Sequence, residues 1–375
     1  MKIEINNEIL LQCISEVYRI VDRRSLKSIL SHVKFTSMKN TLYFYTTDLE
    51  IFMQRKLDFP VKEEISTAVP IFPLYQILRA LEKNSRIVLL FYKTNGKIVK
   101  LFIKSNNVDF SLPCTDVKDF PYYAEGQYTC TFFISAAKIK FLFSCVKHAI
   151  AIENTQHCLN GGYLHIVEVK NLFMLRMVST DSHRLALAEI SIPTGVNLMP
   201  NVILPVKCIN ELTKLLETNT CNMRVSVAQN TIQFCIGDII LVSKLIDARF
   251  PHYQAVIPQT NKYLLEVDVK SFIRGLQLTT TVIFTRQKSV MIRIQSNKML
   301  LFVNDKHHSS AVIEIKTSYI GPEIKISFDI QYLLEILSLM TGVTAKIYIN
   351  SNIEAVLLQD SGNTNCQFVL MPLCI

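Results

Sequence analysis

The stretch LRMVSTDSHRLAL (175–187) carries an apolar alternation into Ser-Thr-Asp and out again into a second apolar run. Alternation over a few residues is the mark of a half-buried strand, and an Asp set among small polar residues marks a turn. The same arrangement stands at YFYTTDLEI (43–51) and MLLFVNDKH (299–307). Asp48, Asp181 and Asp305 follow one another at intervals of about 130 residues, so one strand–turn–strand unit recurs along the chain.

Other landmarks recur in the same order. Helix-periodic runs precede the turns at ILLQCISEVYRIV (9–21), SAAKIKFLFSCVKHAI (135–150) and DVKSFIRGLQL (268–278). Second helices follow them at AVPIFPLYQILRALE (68–82), ILPVKCINELTKLLE (203–217) and SFDIQYLLEILSLM (327–340). Hairpins come next, at LLFYKTNGKIVKLFIKS (89–105) with Asn-Gly at its turn, RVSVAQNTIQFCI (224–236) and KIYINSNIEAVLL (346–358). The first two copies close alike, on VKDFPYY (117–123) and IDARFPHY (246–253). Each copy therefore reads helix, strands, helix, strands, which is the size of one domain. The expected fold is α+β, with two helices packed on antiparallel sheet in each of three repeated domains: 1–125, 126–259 and 260–375. Strands of neighbouring copies can pair edge to edge, and repeats joined by a fixed rotation close into a ring or run on as a filament.

Composition agrees. At 375 residues, 49% hydrophobic and 19% charged, the chain is globular and too long for one core. The start MKIEINNEILL has no signal-peptide pattern, and no apolar run approaches the roughly 18 residues of a membrane span, so a soluble protein with no membrane partner is expected. The 10 cysteines include no CxxC pair, which points to free thiols in a reducing compartment, with neither zinc nor any other cofactor.

The net charge of +9 fits an anionic partner. Basic residues recur on the first helix of each copy or just beyond it: Arg23, Arg24 and Lys27; Lys138, Lys140, Lys147 and His148; Lys270 and Arg274. No zinc finger, basic zipper or RNP-type aromatic string accompanies them, so the expected contacts are to phosphates and carry no base sequence.

A catalytic reading of the central stretch makes Asp181 orient His183, with Ser182 as nucleophile. Residues two apart in a tight turn do not reach triad geometry, the other copies lack the His-Arg pair, and no GxSxG elbow occurs. The competing classes are a nucleic-acid hydrolase built on Asp181 and His183, and a peptide-binding scaffold that does not act on DNA.

The strings KSILSHV (27–33), TDSHRLAL (180–187), KLIDARFPHY (244–253) and FVLMPLCI (368–375) resemble the bacterial DNA polymerase III β subunit, the sliding clamp family, across the whole chain. The resemblance implies a cytoplasmic, nucleoid-associated, non-catalytic subunit. Its homodimer closes head to tail into a six-domain ring around duplex DNA. The partners it implies are the clamp loader, the DNA polymerase III alpha subunit, and other polymerases and repair proteins with clamp-binding motifs.

It further implies a peptide pocket. One wall is Thr180, His183, Arg184 and Leu185, with Leu159, Pro251 and Val256 beside it. Tyr332, Ile353, Val369, Leu370, Met371, Pro372 and Leu373 come from the third copy and the C-terminal run. This chain departs from the family at Ser182, where Gly is usual and a shifted backbone is therefore expected, and at Ala255 and Cys374, where basic residues are usual. The dimer contact implied is Phe110 with Ile77 and Leu81, beside Asp109 where a basic residue is expected. These would face Lys306, His307 and His308, with the interfacial charges partly exchanged.

Overall fold

The computed structural model describes the whole chain except residues 22–27, 62, 124–125, 153–154, 170, 193–198, 219–220, 261, 284–287, 305–308 and 374–375. Arg23, Arg24, Lys27, Asp305, Lys306, His307, His308 and Cys374, singled out above, lie outside the described residues.

The first copy runs β1 (Lys2–Asn6), α1 (Asn7–Tyr18), β2 (His32–Met38), β3 (Thr41–Thr47), β4 (Ile51–Asp58) and β5 (Ser66–Pro70). It continues with α2 (Ile71–Ala80), β6 (Arg86–Thr94), β7 (Lys97–Ser105) and β8 (Val108–Pro113). The second comprises β9 (Cys130–Ser135), α3 (Ala136–Val146), β10 (Gly161–Val169), β11 (Leu172–Thr180), β12 (Arg184–Ser191) and β13 (Val202–Pro205). It then adds α4 (Val206–Thr218), β14 (Asn222–Val227), β15 (Thr231–Ile236) and β16 (Ile239–Lys244). The third has β17 (Tyr263–Asp268), α5 (Val269–Thr280), β18 (Ser289–Gln295), β19 (Lys298–Asn304) and β20 (Ser310–Tyr319). It ends with β21 (Ile324–Asp329), α6 (Ile330–Ser338), β22 (Thr344–Ile349), β23 (Val356–Asp360) and β24 (Cys366–Leu370).

Local chemistry sets the boundaries. Asn6 Oδ1 accepts from Glu8 N at 2.8 Å, Asp268 from Ser271 N at 2.8 Å, and Asp329 from Gln331 N at 2.7 Å, so each starts its helix. The buried Asn7 side chain donates to Leu78 O (3.0 Å) and Glu82 O (3.2 Å), tying α1 to the end of α2. The β6–β7 hairpin turns on Asn95 (φ 51°) and Gly96 (φ 80°), the paired left-handed conformation that Asn-Gly favours.

Helices are shorter than periodicity predicts. α1 ends at Tyr18, and α3 gives way after Val146 to a single 3-10 turn over Lys147–Ala149. An apolar stripe marks a buried face without marking where i→i−4 bonding stops.

The sheets cut across the sequence copies. One compact unit comprises residues 1–137 and 210–245, the other 138–209 and 246–375. The first unit holds a four-stranded sheet, β1-β6-β7-β8, and an eight-stranded one, β5-β2-β3-β4-β16-β15-β14-β9. The second holds a twelve-stranded sheet, β13-β10-β11-β12-β24-β23-β22-β17-β20-β19-β18-β21. Neighbouring copies meet edge to edge within each unit: β4 pairs antiparallel with β16 (Phe52 opposite Val242), and β12 with β24 (Leu185 opposite Val369). The middle copy is thus shared between the units, because a continuous ladder satisfies backbone groups that a free edge would leave open.

Candidate functional site

The twelve-stranded sheet ends in a groove at the β12–β24 joint. Its walls start from the turn between β11 and β12. Thr180 Oγ1 donates to Arg184 O at 2.7 Å, and Asp181 Oδ1 accepts from His183 N and Arg184 N, both at 3.0 Å. The other carboxylate oxygen, Oδ2, accepts from Arg184 Nε at 2.9 Å. Asp181 is therefore occupied in holding the turn, and it meets His183 through the backbone N–H, as the turn reading predicts and the triad reading does not.

Ser182 sits at φ 78°. The expectation that serine would shift this backbone is overturned. Leu49 adopts the same φ of 78° in the equivalent turn of the first copy, so the hydrogen bonds hold the left-handed residue whatever its side chain.

Arg184 is tied down on several sides. Besides Asp181 it pairs with Glu335, and its guanidinium lies 4.0 Å from the Tyr332 ring centroid. Burial pushes the Glu335 carboxyl up, but hydrogen bonds from Gln331 and Arg184 outweigh that and hold it below its usual range. The arginine charge is thereby compensated by two carboxylates, so the groove wall is not cationic.

The opposite wall is the segment Pro251–Val256, ending in a 3-10 turn over Tyr253–Val256. Tyr253 is buried, and its hydroxyl lies 3.0 Å from His165 Nε2 and accepts from Arg176 Nη1 at 3.2 Å. Arg176 is itself paired with Glu189 at 2.7 Å. The Tyr163 ring stacks on Phe250 at 4.8 Å and on His165 at 4.3 Å. Burial, then the Arg176 charge, pulls the His165 pKa down to about 4, so the ring is neutral at pH 7. This network fixes a wall that would otherwise be a surface loop.

Close backbone approach fixes the neighbouring strand. A Cβ at Gly161 would stand 2.3 Å from Leu204 O across the β10–β13 pair, so only glycine fits beside Leu159.

The resulting cavity of about 330 Å³ is lined by Leu159, Thr180, His183, Arg184, Leu185, Pro251, Val256, Val369 and Met371, all expected from the sequence. Gln156, Ser182, His252 and Tyr253 line it as well and were not foreseen; Tyr253 and His252 follow directly on Pro251 in the string that pointed to the wall. Its base is the buried cluster of Val178, Leu185, Leu187, Ile203, Phe250, Tyr253, Leu357 and Val369. Val256 and Met371 stand exposed at the rim.

Other expected residues lie elsewhere. Leu370 is fully buried, because alternate residues of β24 face opposite sides of the sheet. Tyr332 backs Arg184 without lining the cavity, and Ile353 is exposed in the β22–β23 loop. Past β24, Met371 N bonds to His183 O at 2.9 Å and Leu373 N to Ser327 O at 2.8 Å, so Pro372 and Leu373 lead away from the groove.

Among the helix cations, Lys138, Lys147, Lys270 and Arg274 are exposed, and Lys140 is half-buried. His148 does not join them. Burial pulls its pKa down to about 4, and its ring lies 5.6 Å from that of Phe368, so it is a neutral packing residue. At the expected dimer contact Ile77, Leu81 and Phe110 are half-buried, while Asp109 is exposed and pairs with Lys104 at 3.1 Å.

Among the described residues no cluster of His, Cys, Asp and Glu could hold a metal ion, and no helix is long and apolar enough to cross a membrane. A largely apolar groove whose Asp181 and Arg184 are held in mutual hydrogen bonds suits recognition. The class so defined is a modular, repeated-domain protein in which a continued sheet frames a groove of about 330 Å³.

Comparison with known proteins places it further. The models of the DNA polymerase III beta subunit match over its N-terminal (residues 1–124), central (134–252) and C-terminal (254–374) domains. The chain is 30% identical over 375 residues to the beta sliding clamp of Caulobacter vibrioides strain NA1000, covering all of both chains. It is 26% identical over 375 residues to that of Escherichia coli K12, again covering both completely. Among solved structures, the sliding clamp of Bartonella birtlesii bound to griselimycin aligns at TM-score 0.95 and 32% identity over 100% of both chains. The C. crescentus clamp, with polyethylene glycol bound to a putative beta-motif tethering region, aligns at TM-score 0.96 and 29% identity, over 100% of this chain and 99% of that one. The chain belongs to the DNA polymerase III beta subunit family, whose members are non-catalytic processivity subunits of DNA polymerase III.

Proposed function

We infer that the chain acts as a DNA sliding clamp: two copies close head to tail around duplex DNA, and the groove at Arg184 receives short peptide motifs of the proteins that work on it. The full-length match of all domains carries this reading. The domain limits 1–125, 126–259 and 260–375 follow from the same repeat.

Enclosure explains how a protein can be retained on DNA and still move. Phosphate contacts strong enough to hold would resist translation, whereas weak, salt-sensitive contacts from exposed cations such as Lys138, Lys147, Lys270 and Arg274 permit it. The groove then supplies what the ring cannot, a specific grip on the DNA polymerase III alpha subunit, the clamp loader, and other polymerases and repair proteins. Its mixed aliphatic lining suits an extended motif whose anchor side chains provide most of the affinity. A role on chromosomal DNA is consistent with a cytoplasmic, nucleoid-associated protein.

Among the described residues, two strand edges without a second ladder partner, that of β8 and part of that of β20, support closure. β8 is the outer strand of its sheet and carries Asp109 and Phe110. β20 pairs with β17 only through Thr317–Tyr319, so Ser310–Lys316 has a ladder partner on one side, and Val312 there is 61% exposed. Two edges of this kind, one per unit, can continue a sheet from one copy to the next.

The test is processive synthesis by the DNA polymerase III alpha subunit on a primed circular template, with clamp loader and ATP. Val256→Asp combined with Met371→Asp is expected to shorten products to those made without clamp, while native mass still reports a dimer. Full-length products with that variant would contradict the groove assignment.

A further inference from the structure

The groove at Arg184 has a counterpart in the other compact unit. The turn between β3 and β4 repeats that between β11 and β12 bond for bond: Thr47 Oγ1 donates to Ile51 O (2.8 Å), Leu49 N to Thr47 Oγ1 (3.0 Å), and Glu50 N and Ile51 N to Asp48 Oδ1 (2.9 and 2.6 Å). The strand joint repeats too. Lys244 N bonds to Glu50 O at 2.9 Å, as Met371 N bonds to His183 O at 2.9 Å. Phe52 opposite Val242 therefore takes the place of Leu185 opposite Val369. The wall repeats as Phe120-Pro121-Tyr122-Tyr123 for Phe250-Pro251-His252-Tyr253, with both phenylalanines buried. Between turn, joint and wall lies a cavity of about 270 Å³, and on the far side of Tyr122 and Tyr123 a second of about 250 Å³ that shares Phe52, Pro121 and Val242 with it.

The chemistry differs from that of the first groove in one respect. There the cation is neutralised by Asp181 and Glu335. In the 270 Å³ cavity Lys244 pairs with Glu50 at 3.3 Å, whereas the 250 Å³ cavity beside it is lined by Lys34, its ammonium 5.5 Å from the Tyr45 ring and 5.8 Å from the Phe120 ring, and no carboxylate pairs with it among the described residues. Burial pulls its pKa down, which a bound carboxylate would reverse. The Tyr123 hydroxyl is also buried without a hydrogen-bond partner among the described residues, while the Tyr123 ring stacks on Phe52 at 5.6 Å. A half-buried cation and an idle hydroxyl among aromatic rings are complementary to an anionic group beside an apolar one.

We propose that the furrow formed by Phe52, Tyr122, Tyr123 and Lys34 is a second peptide-docking site, which takes an extended partner segment with an apolar anchor next to an acidic residue. Its recognition differs from that of the first groove, since the acidic residue meets Lys34 where the first groove offers no free cation. The proposal builds on the reading of the Arg184 groove as a peptide site, and the experiment separates the two.

The full-length protein is titrated with a fluorescein-labelled hexapeptide containing two leucines, a phenylalanine and one aspartate, and with its Asp→Asn version, reading anisotropy and stoichiometry. Two peptides per chain are expected. The Val256→Asp, Met371→Asp variant should retain one, weakened about tenfold by the Asn peptide or by Lys34→Gln, and lost in Tyr122→Ala. Tyr122 is 87% exposed, so its removal leaves the fold intact. One peptide per chain, abolished by Val256→Asp with Met371→Asp, overturns the furrow and leaves the first groove standing. Residual binding indifferent to both Tyr122→Ala and Lys34→Gln also overturns it. One peptide per chain that survives the double variant and is lost in Tyr122→Ala supports the furrow and removes the first groove, and no binding at all overturns both.

Discussion

Ser182 and Leu49 occupy left-handed backbone, where an L side chain costs about 1–2 kcal/mol relative to glycine. Four turn hydrogen bonds from Asp181 and Thr180 hold Ser182 there, so the strain is carried by a structure that over-determines it. Ser182→Gly is expected to stabilise the protein by about 0.5–1 kcal/mol once the entropy of glycine is set against the relief of strain, and Ser182→Val to destabilise it. Chemical denaturation of the variants checks the sign. His165 gives a pH prediction. Its pKa is about 4 in the fold against an ordinary 6.5, so below pH 6.5 the unfolded chain binds a proton that the folded chain does not. Stability is therefore complete above pH 6.5 and falls as pH drops toward 4, by about 1 kcal/mol per pH unit from this residue. In His165→Gln the loss of melting temperature between pH 7 and pH 5 should be smaller than in the parent. An unchanged slope would show that the ring titrates normally.

At the scale of elements, the proposed assembly turns on the open edges of β8 and β20. Half-buried Phe110 and exposed Val108 on β8, with exposed Val312 on β20, are apolar side chains those edges offer, and a charge at Phe110 or Val312 should oppose continuation of the sheet. Val312→Asp or Phe110→Asp is expected to convert a dimer to monomer in native mass measurement, with circular dichroism unchanged; dimers persisting at micromolar concentration would place the contact elsewhere. The sequence made the copies legible because strand alternation, Asp turns and helix stripes are local signals, recurring wherever the local physics recurs. Much of the groove was legible only through the resemblance to the sliding clamp family, whose short strings here hold Thr180 to Leu185 and Pro251. Long-range partners were hidden. Nothing near Tyr253 announces His165 or Arg176, and nothing near Arg184 announces Glu335, which lies 151 positions away. His148 looked like a surface cation because it follows Lys147, whereas the end of α3 turns it inward against Phe368. The open edge of β20 depends on where its ladder with β17 stops, which register alone determines.

For the whole molecule, family membership and the shared sheets lead to one physical claim, that retention on DNA comes from enclosure rather than adhesion. Adhesion through phosphates weakens steeply with added salt, because bound counterions are released on binding. Enclosure does not share that dependence so long as the ring stays shut. Raising salt should accelerate sliding and leave residence on a closed circle little changed, whereas an adhesive protein would dissociate. Lys147→Glu with Arg274→Glu should likewise weaken transient binding to short duplexes yet preserve residence on circles. The most direct measurement loads the clamp onto a nicked circular plasmid with clamp loader and ATP, removes free protein by gel filtration, and follows retention before and after a single restriction cut. Stable residence on the circle and rapid escape from the linear product is the predicted result; equal loss from both, or equal retention on both, would contradict it.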